Sequence, residues 1–142
     1  MKNEQLVKKL ADYIENNPGY IGEERLDCIT TARLKGVTVQ KVQNLFLVKG
    51  ALVSPSWTTG GMTGGSCYDS RGADSAVRPE MRPTWLEDIL EETVPGITFL
   101  QYRKLDRLRK SFEYGTDCYY GNYTDHAFEV ITLSDIKATL SP

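Results

Sequence analysis

The chain is short of the residues from which most enzyme sites are built. Its 142 residues include one histidine and three cysteines, with no C-x-x-C pair. Cys28, Cys67 and Cys118 are odd in number and far apart, which argues against both a disulfide framework and a zinc knuckle. Cys67 or Cys118 with His126 is the one combination able to offer a thiolate beside a base, or a zinc site. The residues favour reduced thiols and a strand histidine, with no metal. Two nucleotide signatures are missing as well. A phosphate loop needs lysine before its Ser or Thr, and Gly60 to Ser66 has none; Gly-Gly-Met-Thr-Gly-Gly does not contain Gly-x-Gly-x-x-Gly. With no complete catalytic motif, the expectation is a protein that is not an enzyme and uses no cofactor. No apolar run approaches the ~20 residues that cross a bilayer, and no apolar signal core follows Lys2, so a cytoplasmic protein with no membrane partner is expected. Without secretion the glycosylation pattern Asn122-Tyr-Thr124 is empty.

Charge is balanced overall, at −2, but not along the chain. Residues 51 to 96 carry three Lys/Arg against seven Asp/Glu, while residues 1 to 50 carry eight against six and residues 97 to 142 six against six. Glu87, Asp88, Glu91 and Glu92 sit along one expected helix, and Arg103, Lys104, Arg107, Arg109 and Lys110 along the next. These read as solvated helix faces able to pair with each other. Such a balance makes no general case for nonspecific nucleic-acid binding.

The N-terminal third reads as helical. Leu6, Leu10 and Ile14 recur at helical spacing, and Asn16-Asn17-Pro18-Gly19 ends the segment. A second helix is expected from about Glu24 to Leu34, with Gly36 as its C-cap. Thr38 would cap a third from Val39 to Phe46, although Val37, Val39 and the run from Leu45 to Val53 are also good strand formers. Ala32, Gly36, Val37, Val42 and Leu45 carry the spacing of a helix-turn-helix. On the outward face of its recognition helix would lie Gln40, Lys41, Gln43 and Asn44, and Gln or Asn can bond both N6 and N7 of adenine. Lys35 and Val39 depart from that pattern, and a plain helical hairpin is the simpler reading.

Four glycines fall in six positions from Gly60 to Gly65, between Trp57 and Tyr68. Glycine is kept where a backbone must turn sharply or another group must approach it closely. One reading is a nest of amides, helped by Thr58, Thr59, Thr63 and Ser66, that holds an anion or a partner's backbone. The other is a tight packing loop that lets Trp57 and Tyr68 lie close. Ser70 to Pro83 then reads as an exposed connection.

The last third is better punctuated. Thr84-Trp-Leu-Glu87 and Thr98-Phe-Leu-Gln101 both match a capping box. The first opens a helix lined by Leu86, Ile89, Leu90 and Val94 and stopped by Pro95-Gly96. The second opens a helix with Ile97 and Tyr102 as a hydrophobic staple and with Phe99, Leu105 and Leu108 toward the core. Phe112 to Tyr114 and His126 to Thr132 have strand character, and between them Tyr119, Tyr120 and Tyr123 surround the turn pair Gly121-Asn122. Ser134 can cap a last helix through Ile136 and Leu140. The fold class expected is α+β: N-terminal helices with a helix-turn-helix-like hairpin over residues 1–50, then a glycine-rich loop, helices and a small antiparallel sheet forming one compact unit over 51–142, the chain being one domain or one domain with a small N-terminal appendage.

Three strings carry a resemblance: Gly50 to Tyr68, Ile97 to Tyr102, and Tyr119 to Tyr123. In them the chain, from roughly Ile29 to Tyr123, resembles small proteins of bacteriophages and integrated elements. The resemblance carries no activity or functional residue with it. It implies a context in which short accessory proteins bind and block a host factor, including immune nucleases, or sequester a nucleotide signal. The expected surface combines Trp57, Thr59, Gly60, Gly61, Gly64, Gly65 and Tyr68 with Tyr119, Tyr120, Asn122 and Tyr123, because aromatic side chains offer rigid contact area beside exposed backbone donors. Two alternatives stay open. One is a DNA-binding regulator acting through Gln40, Lys41, Gln43 and Asn44. The other is nucleotide sequestration, with the amide nest on phosphate, Trp57 or Tyr119 stacked on the base, and Arg103 or Arg107 as counter-charge.

Overall fold

The computed structural model describes residues 1–21, 36–62, 84–115 and 123–141. In chain order the elements are α1 (Asn3–Asn16), β1 (Gly19–Tyr20), β2 (Thr38–Val42), β3 (Leu45–Lys49), β4 (Ala51–Val53), β5 (Trp57–Met62), α2 (Trp85–Thr93), α3 (Phe99–Asp106), β6 (Lys110–Gly115), β7 (Tyr123–Thr132) and α4 (Leu133–Leu140). The fold is α+β, with two small antiparallel sheets. The helix expected from Glu24 to Leu34 and the connection from Ser70 to Pro83 lie outside the described residues.

Strand β7 organises the molecule. It pairs with β4 and β5 along one side, from Ala51↔Thr132 to Met62↔Tyr123, and with β6 along the other, from Lys110↔Val130 to Gly115↔Asp125. β4 and β5 succeed one another along the same edge of β7, separated by Ser54-Pro55-Ser56. Side chains alternate across a strand, so residues 128 and 130 point one way and residues 129 and 131 the other. Phe128 and Val130 join Ile21, Phe46, Val48 and Ala51 in one core cluster, against the three-stranded sheet β1-β3-β2. Phe112 stacks on Phe128 there, with ring centroids 5.5 Å apart. Ile131, with Leu52, faces the helices and joins Leu6, Leu10, Ile14, Leu86, Leu90, Leu105, Ile136 and Leu140. A strand covered on both faces reads as the near-continuous apolar run seen from Ala127 to Ile131, and Glu129 interrupts it.

The segment from Val39 to Phe46 is not a helix. Thr38 to Lys49 form a β-hairpin with Val42 opposite Leu45 and Val39 opposite Val48. Gln43 takes φ 59°, as the first central residue of a two-residue hairpin turn requires. The helical spacing of Val39, Val42, Leu45 and Phe46 is thus incidental. Burial decides: Phe46 and Val48 are taken up by the second core, which outweighs local propensity in a run rich in β-branched residues. The recognition helix expected to carry Gln40, Lys41, Gln43 and Asn44 is therefore absent, and these four exposed residues stand on β2 and its turn. Gly50, at φ +86°, swings the chain from β3 into β4; a Cβ there would lie 2.8 Å from the Gly36 carbonyl oxygen.

The helix ends correct several smaller expectations. α1 and α2 occupy the ranges their apolar spacing predicts, burying Leu6, Leu10 and Ile14, and Leu86 and Leu90. The capping box at α3 is complete: Thr98 Oγ1 accepts from the Gln101 amide and Gln101 Oε1 from the Thr98 amide. The box expected at Thr84 does not form, since its side chain makes no capping bond among the described residues and Glu87 is drawn to Tyr102 and Arg109 instead. α4 is capped by Thr132, whose Oγ1 accepts from the Asp135 amide at 3.1 Å, and Ser134 lies inside the helix. Phe99 is exposed rather than facing the core, with the Arg103 guanidinium over its ring. α3 stops at Asp106, so Arg109 falls in the turn beyond it and Lys110 opens β6, where it pairs with Asp135.

Candidate functional site

The strand pairing brings together two stretches that the chain separates by some sixty positions. Gly60, Gly61 and Met62 of β5 pair with Asp125, Thr124 and Tyr123 of β7, and Gly115 of β6 pairs with the same Asp125. The described ends of the glycine-rich and tyrosine-rich stretches therefore pair at one end of the sheet, Met62 with Tyr123. A bulge interrupts the β5 ladder between Thr58 and Gly60 and leaves Thr59 as the extra residue. Bulges twist a strand locally and re-aim the side chains beyond them, and they are over-represented at sheet edges and beside sites. The stretch expected to be a loop from Trp57 thus begins as strand. Gly64, Gly65, Tyr68, Tyr119, Tyr120 and Asn122 lie outside the described residues, as do all three cysteines. Trp57 is half-buried and packs against the core cluster around Phe46 and Phe128, so part of its role is structural. His126 pairs through its backbone with Thr58 and Tyr114. Among the described residues no cluster of His, Cys, Asp and Glu could hold a metal ion, and no helix is long and apolar enough to cross a membrane.

A second constellation lies outside the sequence expectations. Glu129 projects from the helix-facing side of β7 with its side chain fully buried, and three elements converge on it. The Trp85 indole N–H of α2 donates to Oε1 at 2.9 Å, Arg109 Nη1 donates to the same oxygen at 3.2 Å, and Ser111 Oγ of β6 donates to Oε2 at 3.5 Å. Its backbone is held as firmly: the Glu129 amide donates to Ser54 Oγ at 2.7 Å, and the Ser54 amide to the Glu129 carbonyl at 2.9 Å. The Arg109 side chain is only 3% exposed. It also reaches Glu87 at 3.4 Å and Asp106 at 2.7 Å, and lies 5.5 Å from the centroid of the Trp85 ring.

One guanidinium thus serves three carboxylates. Tyr102 adds a hydroxyl that donates to Glu87, and burial, then Glu87 and Asp106, push its phenol up to about 12, with Arg109 opposing them. A buried charge is tolerable only when paired and hydrogen-bonded, and the Glu129 carboxylate has a donor on each of its oxygens. The cluster ties α2, the turn after α3, and β6 to the central strand. It is closed to solvent at Glu129, which makes it a structural clamp.

Read locally, Glu87 and Arg109 belong to solvated helix faces able to pair, and the Glu87–Arg109 ion pair does join them. The signal that local reading misses is Glu129, a carboxylate inside the apolar run Ala127 to Ile131, which has to find a cation or donors if both faces of the strand are buried. Compared with known proteins, the chain matches no family model, no curated protein and no solved structure.

Proposed function

We propose that this is a non-enzymatic accessory protein of a phage or other mobile element that binds and blocks a host protein, an immune nuclease being one class of target. In this reading the binding surface is the sheet end where Gly60, Gly61 and Tyr123 lie. The observation that carries it is the pairing of Met62 with Tyr123, which joins two segments that stand out independently by their composition. A strand pairing that sets Gly60 and Gly61 beside Tyr123 suits recognition: backbone donors stay approachable beside glycine, and an aromatic residue adds contact area at low entropic cost. The Thr59 bulge beside Gly60 favours the same place.

Capture of bacterial-lysate proteins on the tagged chain, compared with Gly61→Ala and Tyr123→Ala, tests the reading. A host protein should be retained by the wild type and lost from both variants, with melting temperatures little changed. Recovery of DNA or a nucleotide in place of protein would move the function to one of the other binding classes. Binding that falls only in step with unfolding would leave the sheet end a packing device and overturn the proposal.

A further inference from the structure

A cleft of about 430 Å³ opens between α1, β1, β4 and α2, away from the residues of the sheet end. Tyr13, Tyr20, Trp85, Val53, Asp88 and Ile89 are among its lining residues. Its size falls within the range of small-ligand pockets, roughly 300 to 1,000 Å³. Tyr20 is 54% exposed, so its ring is open to a ligand entering the cleft.

The electrostatics are one-sided. Asp88 is the one acidic or basic residue in the lining among the described residues. Glu92, one helical turn further along α2, is close enough to Tyr13 that its charge, after burial, raises the phenol's pKa. Behind Trp85, the Arg109 guanidinium is set among the three carboxylates Glu87, Asp106 and Glu129. Tyr13 and Tyr20 add two phenol rings to the lining, and the face of an aromatic ring carries partial negative charge. Such faces beside a carboxylate, in a partly desolvated cleft, attract organic cations and offer nothing to an anion.

We infer that the cleft between α1, β1, β4 and α2 binds an organic cation, a guanidinium or a methylated ammonium, held by the rings of Tyr13 and Tyr20 and the carboxylate of Asp88. It takes a group with a delocalised or shielded charge because aromatic rings replace little of the hydration of a compact ammonium. The inference is independent of the sheet end and rests on none of its residues.

The test is an amide-resolved NMR titration of the full chain with three probes: choline, the amide of N-acetyl-arginine, and 3,3-dimethyl-1-butanol, the uncharged isostere of choline. At least one of the two cations should shift amides at Tyr20, Asp88 and Ile89, and the alcohol should bind about tenfold more weakly. Preference for choline points to a free quaternary ammonium, and preference for the arginine amide to a side chain of a bound peptide. Asp88→Asn should weaken cation binding about three- to tenfold at an unchanged melting temperature, since Asp88 is exposed, and Tyr20→Ala should do the same. Equal binding of the alcohol, no shift in the cleft with either cation up to about 50 mM, or full cation affinity in Asp88→Asn would each overturn it.

Discussion

Arg109, in the turn that leads into β6, meets Glu129 of β7, with Nη1 3.2 Å from Oε1 and both side chains almost wholly removed from water. Ser111, two residues after Arg109, is the register partner of Glu129, so β6 delivers the cation from the turn that feeds it. The pair holds the helical layer to the centre of the sheet.

Removing one member should therefore cost far more than losing a surface ion pair. Arg109→Leu leaves Glu129, Glu87 and Asp106 without their common counter-charge, and a loss of about 3 to 5 kcal/mol in denaturant unfolding is expected. The double variant Arg109→Leu/Glu129→Leu should be more stable than Arg109→Leu alone, because the fully buried carboxylate is then no longer left uncompensated. A single-variant cost under about 1 kcal/mol would place the pair among exposed ones.

Tyr102 gives the molecule an alkaline signature. Its phenol titrates at about 12 in the folded chain, against 10.0 when free, chiefly because it is buried and donates to Glu87. A group whose folded pKa is raised contributes its stabilisation fully below the unfolded value and loses it as pH climbs through the folded one. Stability should thus fall between pH 10 and about 12, and Tyr102→Phe should flatten that part of the profile. Tyrosinate absorbance should show the same group as a late-titrating phenol that is missing from the variant.

The two threonines that open α2 and α3 should behave differently despite equivalent sequence motifs. Thr98→Ala removes the acceptor of the Gln101 backbone amide, while the Gln101 side chain keeps its bonds to the Thr98 amide and, each at 2.7 Å, to the Met1 carbonyl and Asn3 Oδ1. A cost of about 1 kcal/mol is expected. Thr84→Ala removes no capping bond and should change stability by less than about 0.5 kcal/mol. Thermal unfolding of the two variants side by side checks the contrast.

That contrast shows where sequence stops being sufficient. Thr84-x-x-Glu87 and Thr98-x-x-Gln101 are equivalent strings, yet Arg109 and Tyr102, distant in sequence, compete for Glu87 and leave the first box unmade. At Gln101 no such rival takes the side chain from its cap, and the local pattern is the structure.

Helices α1 and α2 were determined by the sequence itself, because apolar residues at a 3.6-residue period leave no other way to bury one face. The same holds for β7, whose apolar run, broken only at Glu129, suits a strand covered on both sides. Between Thr38 and Lys49 the sequence was consistent with two periods at once, and the presence of Ile21, Ala51 and Phe128 across the second core chose the hairpin. At the candidate sheet end, composition singled out the glycines and tyrosines, but only the β5–β7 register made Met62 and Tyr123 neighbours. The clamp at Glu129 lay furthest from view. A lone carboxylate in a strand announces that it needs a cation, whereas which cation arrives depends on the path of a turn some twenty residues earlier, and no local rule contains that path.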